Sequence, residues 1–108
     1  MATDITVTRA GTTPKRLTLS ATPSQCLKVT FPDFIKYVSV KFPAAAGQFA
    51  TAGTDSGSID ADYIDCAANF MLSNIFLHPS DAVSGKHAIY LASTTASAKV
   101  ELLLSRGL

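Results

Sequence analysis

The sequence contains no tryptophan, three tyrosines and few charged residues. Charged residues make up 16% of its 108 residues, whereas soluble proteins average about 25%. The formal net charge is +1, so the chain lacks the strong field that draws a protein to nucleic acid or to anionic lipid. Because sugar-binding faces usually present exposed aromatic rings, the absence of tryptophan also weakens the case for a carbohydrate-binding module.

Cysteine is scarce, and long apolar runs are missing. Cys26 and Cys66 are the only cysteines and allow at most one disulfide bridge. The first residues, MATDITVTRAG, lack the charged start and apolar stretch of a secretory signal. No run approaches the ~18 apolar residues of a membrane span. We therefore expect a protein made and kept in a cytosol, with both thiols free and mostly buried.

Catalytic and phosphate-binding motifs are missing as well. The sequence has no Gly-x-Ser-x-Gly, no phosphate loop, no Cys-x-x-Cys and no His-x-x-x-His. His78 and His87 are the only histidines, and no serine or threonine stands out as a nucleophile for either of them. We expect structural or surface histidines, no enzymatic activity and no cofactor.

An acidic cluster has two interpretations. Asp55, Asp60, Asp62 and Asp65 supply the oxygen ligands that calcium prefers, but their spacing lacks the EF-hand pattern. A solvated strand face is the favoured alternative. We expect no metal, and the question of a ligand at 55–65 stays open at this stage.

A set of lysines also has two interpretations. Lys28, Lys36 and Lys41, with Tyr37 as a stacking ring, would suit a strip that binds single-stranded nucleic acid. Lysines scattered over outer strand faces more often protect a sheet against edge-to-edge aggregation. We therefore expect no nucleic-acid partner.

Small and apolar residues dominate what remains. Apolar residues reach 47% and the mean hydropathy is +0.26. Surfaces with little charge supply weak colloidal repulsion, which suits a subunit that stays in contact with other proteins. A small soluble domain with a generous core is the alternative.

Apolar and polar residues alternate in short runs, with turn signals about every ten residues, as in all-β proteins. The pattern predicts one antiparallel β-sandwich over residues 1–108, jelly-roll or immunoglobulin-like, with seven to eight short strands. Residues 1–11 form a candidate extended N-terminal arm. The alternation places the following side chains in one core between two sheets: Leu17, Leu19, Leu27, Val29, Phe31, Val38, Val40, Ile89, Leu91, Val100, Leu102 and Leu104.

Four segments need individual assignment. Ala44–Ser58 contains three glycines and no regular period, which predicts a long surface loop, with room for a short strand around Phe49. Ser58–Ile64 alternates and predicts a strand. Residues 65–77 fit either a helix or a strand, and we favour a strand over Phe70–Leu77 because the rest of the chain is β. Lys86–Arg106 predicts two strands joined by a short turn, a terminal hairpin.

The stretch KHAIYLASTTASAKVELLL (Lys86–Leu104) resembles small β-sandwich virion proteins of tailed bacteriophages. CLKVTFPDFIKYVSVKF (Cys26–Phe42) and the Gly47–Gly57 loop are similar in style. Such proteins decorate capsids as cement proteins, often as trimers, or form parts of the tail and the head–tail connection. The resemblance implies a homo-oligomer, with a trimer favoured, that binds the major capsid or other virion proteins. It also implies a virion location after assembly in the host bacterial cytoplasm, without membrane or nucleic-acid partners. A carbohydrate- or receptor-binding module is the alternative of another class.

Two segments are predicted to carry the contacts between subunits. Ala2–Gly11 is too polar and short to fold convincingly against its own core, and Ala44–Gly57 is long for a loop without a partner. An apolar anchor is the usual centre of such a contact, and Phe49 is the candidate. The predicted interface residues are Ile5, Val7, Arg9, Phe49, Thr51 and Thr54.

Overall fold

The computed structural model describes residues 2–4, 12–19, 25–54, 59 and 61–106. Nine strands and one 3-10 turn lie in this part of the chain. The strands are β1 Ala2–Asp4, β2 Thr12–Thr18, β3 Leu27–Pro32, β4 Tyr37–Lys41, β5 Gly47–Ala50, β6 Ile64–Cys66, β7 Met71–Phe76, β8 Lys86–Ala92 and β9 Lys99–Ser105, and the 3-10 turn is Pro79–Asp81. No helix in the described residues is long and apolar enough to cross a membrane.

The strands form two sheets. One has the order β1-β3-β8-β5-β6, and the other has the order β2-β9-β4-β7. All neighbouring strands are antiparallel except β1, which pairs in parallel with β3. The predicted all-β class with two antiparallel sheets is confirmed.

The pairings are nested along the chain. β2 pairs with β9, β3 with β8, β4 with β7 and β5 with β6. The chain therefore forms one long antiparallel ribbon with its bend between β5 and β6. Two further pairings, β4 with β9 and β5 with β8, join different parts of that ribbon. As a result, every connection from β2 onward crosses between the sheets except the one from β5 to β6.

One hydrophobic core joins the two sheets. Ten of the twelve predicted core residues are buried, and Leu17 and Leu27 are partly buried and pack against the same cluster. The prediction succeeded because strand side chains alternate between the two faces of a sheet, so a single buried face sets the period.

The predicted terminal hairpin is wrong. β8 pairs with β3 and β5, whereas β9 pairs with β2 and β4. Consecutive strands often form hairpins, and the alternation in β8 and β9 fits one. Here, however, residues 93–98 carry the chain from one sheet to the other. The inward side chains of the two strands therefore belong to opposite layers of the core.

The short strand for which the sequence left room around Phe49 is confirmed, but its place on a surface loop needs correction. Gly47–Ala50 forms β5, which lies between β8 and β6 in the larger sheet. The Phe49 side chain is only 3% exposed and belongs to the core cluster. The burial of this strand was missed because its residues are small, and a single large apolar residue gives no alternating pattern that marks an inward face.

The neighbouring strand was predicted a few residues too early. β6 is Ile64–Cys66. Residues 61–63 lie outside any strand, and the side chains of Ala61 and Tyr63 are exposed. Ile59 makes an isolated antiparallel bridge with Gly53. The prediction of a strand over Phe70–Leu77 is confirmed by β7.

Candidate functional site

The predicted interface residues have different positions in the fold. Ile5, Val7 and Arg9 lie outside the described residues. Thr51 and Thr54 are exposed in the segment after β5. The Cys26 thiol donates a hydrogen bond of 2.7 Å to the Thr54 carbonyl, which holds this segment against the residue before β3.

Phe49 cannot be the predicted surface anchor, because its ring is buried in the core of its own chain. The residue directly opposite Phe49 on β8 is Leu91, which is also fully buried. An aromatic ring in this position stabilises the subunit itself. The role proposed for Phe49 from the sequence is therefore corrected, and any apolar anchor must lie elsewhere.

An exposed apolar patch crosses the outer surface of the four-stranded sheet. We call it the apolar face and define it by Pro14, Tyr37, Met71, Phe76 and Leu103. The exposed fractions are 54% for Phe76, 45% for Met71 and 39% for Leu103. Pro14 lies opposite Leu103, and Tyr37 lies opposite Phe76, with ring centroids 5.6 Å apart. All four strands of this sheet thus contribute an apolar or aromatic side chain to one surface.

Charged residues border the apolar face on one side, and Lys41 also separates Glu101 from Met71 within it. Arg16 and Glu101 form an exposed ion pair across β2 and β9, and Lys41 lies opposite Glu101 on β4. An apolar centre with a polar rim is the usual composition of a surface that binds another protein.

A bulge modifies the edge of this sheet at β7. The register shifts between Val38 and Val40, and Asn74 has a φ of 52°. The Asn74 backbone N–H donates to Ser39 Oγ at 2.9 Å, so the buried Ser39 hydroxyl on β4 has a hydrogen-bond partner. Bulges on an edge strand disfavour pairing with another strand. The bulge therefore disfavours extension of this sheet by another strand at β7.

A groove of about 660 Å³ lies next to β8 and is lined in part by the end of β7, including Phe76 of the apolar face. β5 pairs with β8 only as far as Ala50 opposite Tyr90, and exposed Thr51 lines the groove just beyond that point. The segment from Ile75 to Ser84 forms the opposite wall. The polar and charged side chains in the lining are Lys28, Thr30, Thr51, His78, Asp81, Ser84, Lys86, His87 and Tyr90.

Lys28 and Tyr90 are cross-strand neighbours on the face of the larger sheet that is turned away from the core. They lie opposite each other on β3 and β8 and are half-buried, whereas the adjacent Val29 and Ile89 are fully buried. Alternation along both strands fixes this orientation. One ammonium group and one phenol ring therefore stand side by side in the groove.

His87 is among the residues that line the groove, but it lies on the inward face of β8, opposite Phe31, and is 2% exposed. Burial lowers the pKa of its imidazole below the ordinary value, and the charge of Lys36 lowers it further. Asp33 and Asp81 act in the opposite direction, as does a backbone hydrogen bond with Asp33. Within the described residues, His87 Nε2 has no hydrogen-bond partner.

His78 has a local structural role at the rim of the groove. Its Nδ1 accepts hydrogen bonds from the Ser80 backbone N–H at 3.2 Å and from Ser80 Oγ at 2.8 Å. These contacts cap the 3-10 turn that follows. The Ser80–His78 contact is therefore part of a local turn, and the Phe76 ring packs edge-on against the His78 ring with centroids 6.1 Å apart.

The acidic and basic clusters of the sequence do not assemble into single sites in the described residues. No group of three or more His, Cys, Asp or Glu side chains is arranged there to hold a metal ion. Asp55 and Asp60 lie outside those residues, and Asp62 and Asp65 are exposed.

The three lysines are likewise separated. Lys28 lies on the larger sheet and Lys41 on the smaller one, while Lys36 donates to the Asp33 carbonyl at 3.1 Å in the turn between β3 and β4. They do not form the single basic strip considered from the sequence.

Sequence patterns alone missed both the groove and the apolar face. The one available signal for the apolar face was Leu103, an apolar residue at an outward position of an alternating strand.

Comparison of the chain with models of protein families, with curated proteins and with solved structures finds no match.

Proposed function

We propose that this chain is a structural protein of a tailed-bacteriophage virion, most simply a decoration or cement protein of the capsid. It acts through protein–protein contacts and has no catalytic or cofactor role. The apolar face is the observation that carries the proposal, because Phe76, Met71 and Leu103 expose large apolar side chains on one surface. A patch of this kind on a chain with 16% charged residues favours permanent association.

The strand order supports a jelly-roll sandwich over an immunoglobulin-like one. In a jelly roll, an antiparallel ribbon of eight strands is rolled so that alternate pairs fall in two sheets. The nested pairings from β2–β9 to β5–β6 follow that scheme, with β1 as an added parallel strand. Jelly rolls are frequent in viral capsid proteins and in lectins, which is an argument from fold analogy alone.

We further propose that the protein is a homo-oligomer, with a trimer favoured, that binds the major capsid protein or another virion protein. The continuous pairing of β2 with β9, β9 with β4 and β4 with β7 supports the apolar face. The segment 51–54 is exposed on the same chain and remains a candidate second contact, as does the N-terminal segment 2–11.

The test is light scattering of the purified chain, combined with its binding to isolated heads and isolated tails of the parent phage. The proposal predicts a trimer that binds heads. Binding to tails or to the head–tail connector instead would place the same structural role elsewhere in the virion. A stable monomer at micromolar concentration that binds neither part would contradict the proposal.

A further inference from the structure

The charges of this chain are segregated along the sequence. All nine Lys and Arg residues lie outside residues 42–85, whereas five of the eight acidic residues lie within that range. Residues 42–85 therefore carry a formal charge of −5, and the rest of the chain, with nine basic and three acidic residues, carries +6. The net charge of +1 thus results from two parts of opposite sign.

The surface that carries the apolar face has an excess of positive charge. Among the described residues, four charged side chains occupy outward positions on the smaller sheet, namely Arg16, Lys41, Lys99 and Glu101. Three of them are cations and one is a carboxylate. A second copy that presented the same face would bring like charges together, which costs free energy. The charges therefore disfavour pairing of the apolar face with itself.

A different apolar surface lies at the edge of the larger sheet, where β6 is the last strand. Ile64 on β6 lies directly opposite Phe49 on β5, so the two side chains project from the same face of the sheet. Phe49 is buried in the core, whereas Ile64 is 51% exposed and the preceding Tyr63 is 41% exposed. The core is therefore open at this edge, and a side chain from its inward face is left half uncovered.

Acidic residues flank this opening. Asp62 precedes Tyr63, Asp65 follows Ile64, and all four side chains are exposed. We call residues 62–65 the acidic edge. It combines exposed apolar side chains with negative charge, whereas the apolar face combines them with positive charge. The two surfaces lie on different sheets, so one copy of the chain can use both at the same time.

We propose that the apolar face of one copy binds the acidic edge of a second copy. Tyr63 and Ile64 cover the apolar side chains of the neighbour, and Asp62 and Asp65 face its cations. Such a head-to-tail contact forms a closed ring when the rotation between neighbours closes, and a filament when it does not. The inference rests on the homo-oligomer of the proposed function and names the contact that holds it together.

Light scattering and analytical ultracentrifugation of the purified full chain test the contact with three matched substitutions. Leu103→Glu alters the apolar face and Ile64→Glu alters the acidic edge, and each should weaken self-association about tenfold. Val83→Glu is the control, because Val83 is 74% exposed and belongs to neither surface. It should assemble as the unmodified chain does. Melting temperatures show which variants fold, and Met71→Glu or Asp65→Lys replaces a variant that does not.

A mixture of the two variants tests the head-to-tail geometry. Leu103→Glu keeps an intact acidic edge and Ile64→Glu keeps an intact apolar face, so one functional contact per pair remains. We expect dimers with one copy of each variant from proteins that are monomers when alone. A contact of the apolar face with itself would not give this result, because Ile64→Glu alone would then assemble normally.

Salt dependence supplies an independent measurement on the unmodified chain. Opposite charges across the contact are screened by salt, so raising NaCl from about 0.05 M to about 0.5 M should weaken self-association. Tighter association at high salt would indicate a contact between like-charged surfaces and would overturn the proposal.

The proposal is also overturned if the unmodified chain is a monomer, if the folded Ile64→Glu variant assembles normally, or if the mixture stays monomeric. An oligomer that binds heads of the parent phage but is insensitive to Ile64→Glu would overturn this contact and leave the virion role intact. A head-to-tail oligomer that binds no part of the particle would support this contact and contradict the virion role.

Discussion

Phe31 and His87 lie opposite each other on β3 and β8, with ring centroids 6.1 Å apart and planes tilted by 43°. A histidine thus occupies an inward position on β8, where the other inward residues of β3 and β8 are apolar. The Asp33 backbone N–H donates to the Gly85 carbonyl at 3.0 Å, which joins the turn after β3 to the residue before β8. The imidazole is only 2% exposed at this inward position.

The first prediction concerns pH. The folded pKa of His87 is lowered, first by burial and then by Lys36, so the unfolded chain binds its proton more readily than the folded one. Stability is full above the unfolded value of about 6.5 and falls as the pH drops below it towards the folded pKa. The loss has a limiting slope of about 1.4 kcal/mol per pH unit.

Urea unfolding between pH 8 and pH 5 measures this slope, with His87→Phe as the control. The variant removes the titrating group and should lose less stability over the same range, leaving only the contribution of other groups. Equal pH dependence in the two proteins would mean that the His87 proton is not linked to folding.

The second prediction compares two adjacent leucines. Leu102 is 2% exposed and Leu103 is 39% exposed. Leu102→Ala should cost about 2–4 kcal/mol of unfolding free energy, because it leaves a cavity between the sheets, whereas Leu103→Ala should stay within about 0.5 kcal/mol. Denaturant midpoints of the two variants give the comparison, and similar losses at both positions would refute the strand register.

The third prediction corrects the sequence-based expectation for Phe49. The sequence predicts Phe49 as an apolar anchor at a contact between subunits, but its ring lies in the core. The substitution should cost about 3–5 kcal/mol. Calorimetry measures the change, with exposed Thr51→Ala as the matched control on the same segment. An unchanged melting temperature for Phe49→Ala would contradict the placement of β5.

The fourth prediction concerns Gly47, the first residue of β5. A Cβ atom there would collide with the ring of Phe42, which is fully buried. Gly47→Ala should cost about 1–3 kcal/mol through overpacking, and the added change Phe42→Leu should restore part of that loss. Thermodynamic coupling between the two changes in a double-mutant cycle is the measurement. Additive losses would show that the two side chains do not compete for space.

Much of the core was predictable from the sequence because alternation reports which face of a strand is buried. Val29 and Ile89, for example, follow from their local patterns and are both fully buried. Alternation does not report which strand pairs with which. The Lys86–Arg106 stretch fits a hairpin equally well, although β8 and β9 belong to different sheets.

The groove and the apolar face depend on that missing information. Lys28 and Tyr90 are brought together by the pairing of β3 with β8, and Tyr37 and Phe76 by the pairing of β4 with β7. These residues are far apart in the sequence and follow no spacing rule. The position of His87 opposite Phe31 likewise depends on the pairing of β3 with β8.

The most direct test of the structural role is co-sedimentation of the purified chain with heads of the parent phage, comparing the unmodified protein with Leu103→Glu. The substitution places a charge at the centre of the apolar face but leaves the core intact, so the melting temperature should remain close to that of the unmodified protein. We predict that the unmodified chain sediments with the heads and that binding by Leu103→Glu falls at least tenfold. Equal binding by both proteins, or no binding by either to any part of the particle, would contradict the account.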